Sequence, residues 1–120
     1  MALPPSPRVI DVTMREYRLD YGRPVPRGRV VFRGHNAGRI KHSLTLLSLP
    51  EDFPPLEDEL RNKKSRPIAP VANLHPLEPG ESDAFAVDLA PGRYGLVDFQ
   101  RGRDRVDNAT KGANSEFRVR

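Results

Sequence analysis

The feature that most constrains this chain is its rhythm. Short stretches alternate apolar and polar residues, and each is closed by proline or glycine. Alternation with period two puts every second side chain on one face of a strand, whereas an amphipathic helix repeats near 3.6. The clearest case is Val87-Asp-Leu-Ala-Pro-Gly-Arg-Tyr-Gly-Leu-Val-Asp98, which reads as a strand, a tight turn and a second strand. Tyr94, Leu96 and Asp98 then share one face. An acid is thereby placed on the apolar side, where an unpaired charge is costly. Asp98 needs a partner, a metal or a chemical task.

The rest of the chain repeats the pattern. Ile10, Val12 and Met14 alternate, then Tyr17, Leu19 and Tyr21 alternate in the opposite phase. The slip at Arg15-Glu16 predicts a bulge that keeps both halves facing one core. Gly28 to Gly34 reads as a strand with Val30 and Phe32 inward, closed by Asn36-Ala-Gly38. His42 to Leu49 is a third, with His42, Leu44 and Leu46 on one face and Ser43 on the other. Over residues 50–76 the strand signal disappears. Leu56 to Lys64 reads as a short helix, acidic early and basic late, which complements the helix dipole. Pro67 and Pro70 argue against regular structure after it, and the segment reads as a surface insertion. Two Pro-Gly turns, at 78–80 and 90–92, bracket a strand with Phe85, Val87 and Leu89 inward. The Tyr94 strand, a polar loop over 100–114 and a last strand with Phe117 and Val119 complete the chain. Many short strands with such punctuation predict an all-β, two-sheet Greek-key sandwich.

Composition sets limits. At 120 residues the chain suits one domain, burying roughly two-thirds of its unfolded surface. Residues 1–7 read as a flexible proline-rich segment and 8–120 as the domain. The chain has no cysteine, which excludes disulfides, thiolate metal sites and a cysteine nucleophile. No apolar run approaches the roughly 20 residues that span a bilayer, and no signal peptide is visible. The net charge of +4 comes mostly from arginine. Arginine and proline usage fits a GC-rich or heat-adapted source as well as attraction to an acidic partner. Aromatic residues are 7% of the chain, too sparse for the stacking that single-stranded nucleic acid needs.

Three stretches together resemble a known family. Val30-Val-Phe-Arg-Gly-His-Asn36-Ala-Gly38-Arg-Ile-Lys-His42-Ser-Leu-Thr-Leu46 resembles the first copper-loop region of cupredoxins, the plastocyanin and azurin class of blue-copper proteins. Leu77-Glu-Pro-Gly-Glu-Ser and Val87 to Val97 resemble the run to the second, and Gly112 to Val119 the final strand. The match covers about 28–49 and 77–120, and a first strand at 8–20 fits it. The resemblance implies a secreted or cell-envelope setting. It places His42 at the family's first histidine ligand, Asp98 at the cysteine, Asn108 at or near the second histidine and Ala113 at the methionine. Three of four ligands are therefore missing, and no histidine follows His75. A blue-copper site needs a thiolate with two imidazoles, which this set cannot supply.

Since both family positions contact the metal, His42 and Asp98 are expected close together. The leading reading is a hydrogen-bonded pair that replaces the metal, with no cofactor and no enzymatic activity. The alternative is a copper-binding or electron-transfer-related protein with a non-blue site at His42 and Asp98, helped by Asp104, Asp107 or His35. A catalytic dyad lacks a nucleophile, because Ser43 faces away. His35 and His75 read as surface residues, with His75 in the loop before the Pro-Gly turn. The resemblance makes Asn36 a tie between the first loop and the loop after position 98, and Tyr94 a tyrosine corner. Arg39, Lys41, Arg101, Arg103 and Arg105 are expected at the former copper end, as a solvated charged surface or a docking surface for an acidic protein partner. A third reading, anion or nucleic-acid binding through Arg101, Arg103 and Arg105, predicts steep salt dependence. The function read from the sequence is a non-redox binding or structural module that presents these loops to a protein.

Overall fold

The computed structural model describes residues 6–62 and 68–120. Most of the proline-rich segment expected at 1–7, together with Lys63, Lys64 and Pro67, lies outside the described residues. The elements are β1 (Arg8–Arg15), β2 (Arg18–Tyr21), β3 (Gly28–Asn36), β4 (His42–Leu49), α1 (Leu56–Arg61), β5 (Pro70–Leu77), β6 (Ser82–Leu89), β7 (Gly92–Val97) and β8 (Asn114–Val119). They form two four-stranded sheets, ordered β2-β1-β3-β6 and β5-β4-β7-β8. β1 runs parallel to β3, and the other pairings are antiparallel. This is the predicted all-β sandwich with one short helix.

The period-two reading locates the main core. Val12, Met14, Val30, Phe32, Leu44, Leu46, Leu96, Phe117 and Val119 fill the space between the sheets. Phe117 lies at the centre, stacked on Tyr94 at 5.6 Å between ring centroids and tilted against Phe32 at 6.1 Å. Each such side chain taken fully from water contributes about 1.5–3 kcal/mol. The Tyr94 hydroxyl donates to the carbonyl of Ala90 at 2.7 Å, the corner bond expected for it.

Three details differ from the sequence reading. The phase slip at Arg15-Glu16 is a hairpin turn, since Met14 pairs with Leu19 and Arg15 with Arg18. Leu19 still reaches the core, but Tyr17 sits on the turn under the Lys111 ammonium, 4.9 Å from its ring. β5 is a strand despite Pro70 and Pro76. It lies at the edge of its sheet, where a missing N–H leaves no ladder bond broken. His75 is accordingly on a strand and not in a loop.

The 50–61 segment is also more than a surface insertion. β4 is buried on both faces because this segment covers its outer side. Leu47, Leu49, Phe53, Leu56, Val97 and Ala109 make a second apolar cluster there. Gly95 permits that contact: a Cβ at this position would lie 2.6 Å from Leu56 Cδ2. The buried guanidinium of Arg93 donates to the carbonyls of Pro50, Glu51, Phe53 and Pro54 and to the Glu116 carboxylate. Glu116 in turn accepts the Leu56 amide at the start of α1.

Candidate functional site

His42 opens β4 and Asp98 follows the last residue of β7. Because Thr45 pairs with Val97, the two side chains enter the same end of the sandwich. Both are fully buried. His42 Nδ1 lies 2.5 Å from Asp98 Oδ2, so the structure brings together the two residues that the sequence paired. The imidazole has a second partner. Its Nε2 lies 2.6 Å from Oε1 of Glu16, whose side chain reaches in from the β1–β2 turn and is 26% exposed.

Each carboxylate is well supplied with donors. Asp98 Oδ1 accepts from the Ser43 amide at 3.0 Å, the Ser43 hydroxyl at 3.2 Å and the Gln100 amide at 2.9 Å. Asp98 Oδ2 accepts from Asn108 Nδ2 at 2.9 Å as well as from His42. Glu16 accepts from the amides of Arg39 and Ile40. Gly38 leaves room for this: a Cβ there would stand 2.1 Å from Glu16 Oε1 and 2.8 Å from His42 Nε2.

A neutral imidazole has one N–H, so it can donate to only one of two carboxylates; the imidazolium donates to both. Burial opposes the charged ring, but the bonds to Asp98 and Glu16 outweigh it and hold the His42 pKa above its ordinary 6.5. Burial likewise pushes Glu16 up, and the His42 bond with the two amides more than reverses this, leaving it below its ordinary 4.5. The arrangement is an imidazole ring clamped between two carboxylates from two different loops, a setting that favours its protonated form.

The other predicted residues fall around this centre. Asn108 is buried; its Nδ2 is also 3.4 Å from the Lys41 carbonyl, and its Oδ1 has no hydrogen-bond partner among the described residues. Ala113 is buried and joins the site through its backbone, its carbonyl accepting the Asp98 amide at 3.0 Å. Asn36 ties the first loop differently from the expectation: Nδ2 donates to the carbonyls of Ile40 and Leu77, not to the loop after Asp98. Ser43 keeps the outer face of β4 with Thr45 and Leu47, opposite the core side, yet its hydroxyl reaches Asp98 Oδ1 at the strand's end. Its hydroxyl bonds the carboxylate and not the imidazole, so no nucleophile–base pair forms.

The residues expected to help a metal are elsewhere. His35 bonds the Ser82 hydroxyl at 2.6 Å, Asp104 pairs with Lys111, and Asp107 pairs with Arg101. His75 is exposed, 3.5 Å from Asp83. Of the basic residues at this end, Lys41 pairs with Glu78 and Arg101 with Asp107. Arg39, Arg103 and Arg105 carry no ion pair among the described residues. Glu16 is the residue that sequence reasoning missed. Its one signal was indirect: a buried histidine has two nitrogens, and Asp98 satisfies only one.

No protein-family model matches the sequence, and no curated protein matches it. Solved structures do match in fold. They include auracyanin from the photosynthetic bacterium Roseiflexus castenholzii, with 17% identity, TM-score 0.63 and coverage of 96% of this chain and 98% of that one. Auracyanin A, a blue copper protein from the green thermophilic photosynthetic bacterium Chloroflexus aurantiacus, gives 13% identity, TM-score 0.66 and coverage of 96% and 100%. Auracyanin B gives 15%, 0.66 and coverage of 98% and 93%. The likeness spans nearly the whole of each chain, so the two-sheet arrangement is that of a cupredoxin-like sandwich.

The donor set here does not fit a blue-copper centre. There is no thiolate in the chain, Ala113 offers no side-chain donor, and Asn108 turns its amide nitrogen toward Asp98. Nor does it suit a hard metal. The two carboxylates lie against opposite nitrogens of one ring, so their oxygens diverge and do not converge on a shared point. Among the described residues no group of three or more His, Cys, Asp or Glu side chains is placed to hold a metal ion.

Proposed function

The chain has the cupredoxin fold, and from that premise we propose that it is a non-redox binding module whose former copper end presents loops to a protein partner. The observation that carries this reading is the His42 ring held by a carboxylate at each nitrogen. By the sequence resemblance His42 takes the family's first ligand position, and both its nitrogens are engaged by Glu16 and Asp98. A protonated ring has no lone pair for a metal. The site is therefore built as an internal ion cluster, which ties the β1–β2 turn, the 36–41 loop and the start of the 98–113 loop together.

In this reading Arg39, Lys41, Arg101, Arg103 and Arg105 form the presented surface, and the partner is acidic. No catalysis is assigned to the site. By its resemblance to blue-copper proteins the protein belongs in a secreted or cell-envelope setting, which cell fractionation tests. Among the described residues no helix is long and apolar enough to cross a membrane.

Copper titration separates this reading from a non-blue metal site at His42 and Asp98. Protein purified without chelators and exposed to Cu(II) is expected to carry no copper after desalting and to give no protein-bound EPR signal. Micromolar binding that His42→Ala abolishes would overturn the reading.

A further inference from the structure

We propose that this end of the sandwich takes an extended peptide segment of a protein partner in which acidic residues lie next to apolar ones. The proposal rests on the reading of the chain as a protein-binding module and names the partner's chemistry. Two clefts meet here. One, of about 690 Å³, has Lys41, Arg101 and Arg103 on its walls together with Glu78. The other, of about 630 Å³, runs along β4, β5 and α1 and is lined by Leu47, Leu56, Leu60, Leu74 and Phe99. Gln100 lines both, so the basic and the apolar clefts adjoin there.

Charge and composition select the occupant. The basic cleft holds three cations against one carboxylate. Its Lys41–Glu78 pair and the Arg101–Asp107 pair are largely solvated, and such pairs contribute at most about 1 kcal/mol each. An incoming carboxylate can therefore exchange them at little cost, and Arg103 has no ion pair to give up among the described residues. Phe99, 40% exposed despite its size, stands in the wall of the apolar cleft beside Gln100. Arginine and aromatic side chains in adjoining recesses are the usual anchors of a protein interface.

The apolar cleft is not purely apolar. Ser43, Thr45, Glu59, Asn73 and His75 interrupt its walls, so the acidic residues of a peptide belong in the basic cleft and its apolar ones here. Those side chains suit the amides of a peptide, whereas a bare hydrocarbon tail would leave them unsatisfied. The surface is also held in place from below. Asp98 Oδ1 accepts the Gln100 amide and both donors of Ser43, so the buried cluster fixes the residue that both clefts share. Less ordering is then required when a peptide arrives.

The test is selection of a random phage-displayed dodecapeptide library on the immobilised protein, followed by fluorescence anisotropy with the enriched peptide. Enriched sequences are expected to combine acidic and apolar residues within a few positions. The peptide's affinity should fall with salt and drop at least about tenfold in Arg101→Glu/Arg103→Glu. Phe99→Ala should weaken it separately; all three residues are exposed, and circular dichroism checks that the variants fold. No enrichment, enrichment of basic or neutral sequences, or binding indifferent to both variants would overturn the proposal. Stoichiometric binding of sodium dodecanoate without peptide enrichment would assign the clefts to a lipid anion and overturn it too. Such failures with a silent copper titration leave the non-redox reading standing, whereas a copper site at His42 removes that reading whatever the peptides do.

Discussion

Asp98→Asn is expected to destabilise the protein by about 3–5 kcal/mol, the usual cost of removing one partner from a buried ion pair. The substitution keeps the shape of the side chain and removes its charge. It also gives the position an N–H, while the surroundings offer five donors: the Ser43 amide and hydroxyl, the Gln100 amide, Asn108 Nδ2 and His42 Nδ1. At least two of them must then face the new amide nitrogen. Both His42 and Asp98 are fully buried, so water cannot make good the loss. Set against a total of about 5–15 kcal/mol for an ordinary domain, this is a large share. Urea denaturation reads it as a lowered midpoint with an unchanged slope. Asp98→Asn combined with His42→Ala should cost less than the two single changes added, because the residues share one network. A single-variant change below about 1 kcal/mol would mean that the cluster contributes little.

The wild-type protein is expected to lose stability as the pH rises above about 6.5, at no more than about 1.4 kcal/mol per pH unit. The sign follows from His42. Its folded pKa lies above the ordinary 6.5, so above that pH the folded state holds a proton that the unfolded chain has released. The contribution is complete below 6.5 and disappears as pH climbs through the folded value. Glu16 acts at the other end. Its folded pKa lies below the ordinary 4.5, so its contribution is complete above that pH and disappears as pH falls through the folded value. Chemical denaturation across pH should show the loss above 6.5 in the wild type and a flat response over the same window in His42→Gln. A wild type whose stability is flat or rises there would contradict the charged ring.

Much of this arrangement was legible in the sequence, and the parts that were not have physical causes. The inward placement of Asp98 followed from period two over Tyr94, Leu96 and Asp98, all of which are buried. Proximity to His42 followed only from resemblance to a metal site, since nothing local links residues 56 positions apart. The face of Ser43 was legible, but its bonds to Asp98 were not, because they join the start of β4 to a residue 55 positions away. β5 was hidden because Pro67 and Pro70 argued against regular structure there, and proline is tolerated in a strand at a sheet edge. The cover over β4 was hidden because Ser43 and Thr45 gave its outer side the polar look of a solvated face, although both are buried. Glu16 was invisible for a simpler reason. An acid in a two-residue turn is the commonest kind of solvated residue, and only the tertiary path of the β1–β2 hairpin brings it over His42.

The protonation of the His42 ring is the most direct measurement, read from the ¹⁵N shifts of its two nitrogens by ¹H–¹⁵N NMR at neutral pH. Both nitrogens are expected to carry protons, with shifts that do not move when Cu(II) is added. A bare nitrogen on His42 that responds to copper would contradict the replacement of the metal by a clamped imidazolium.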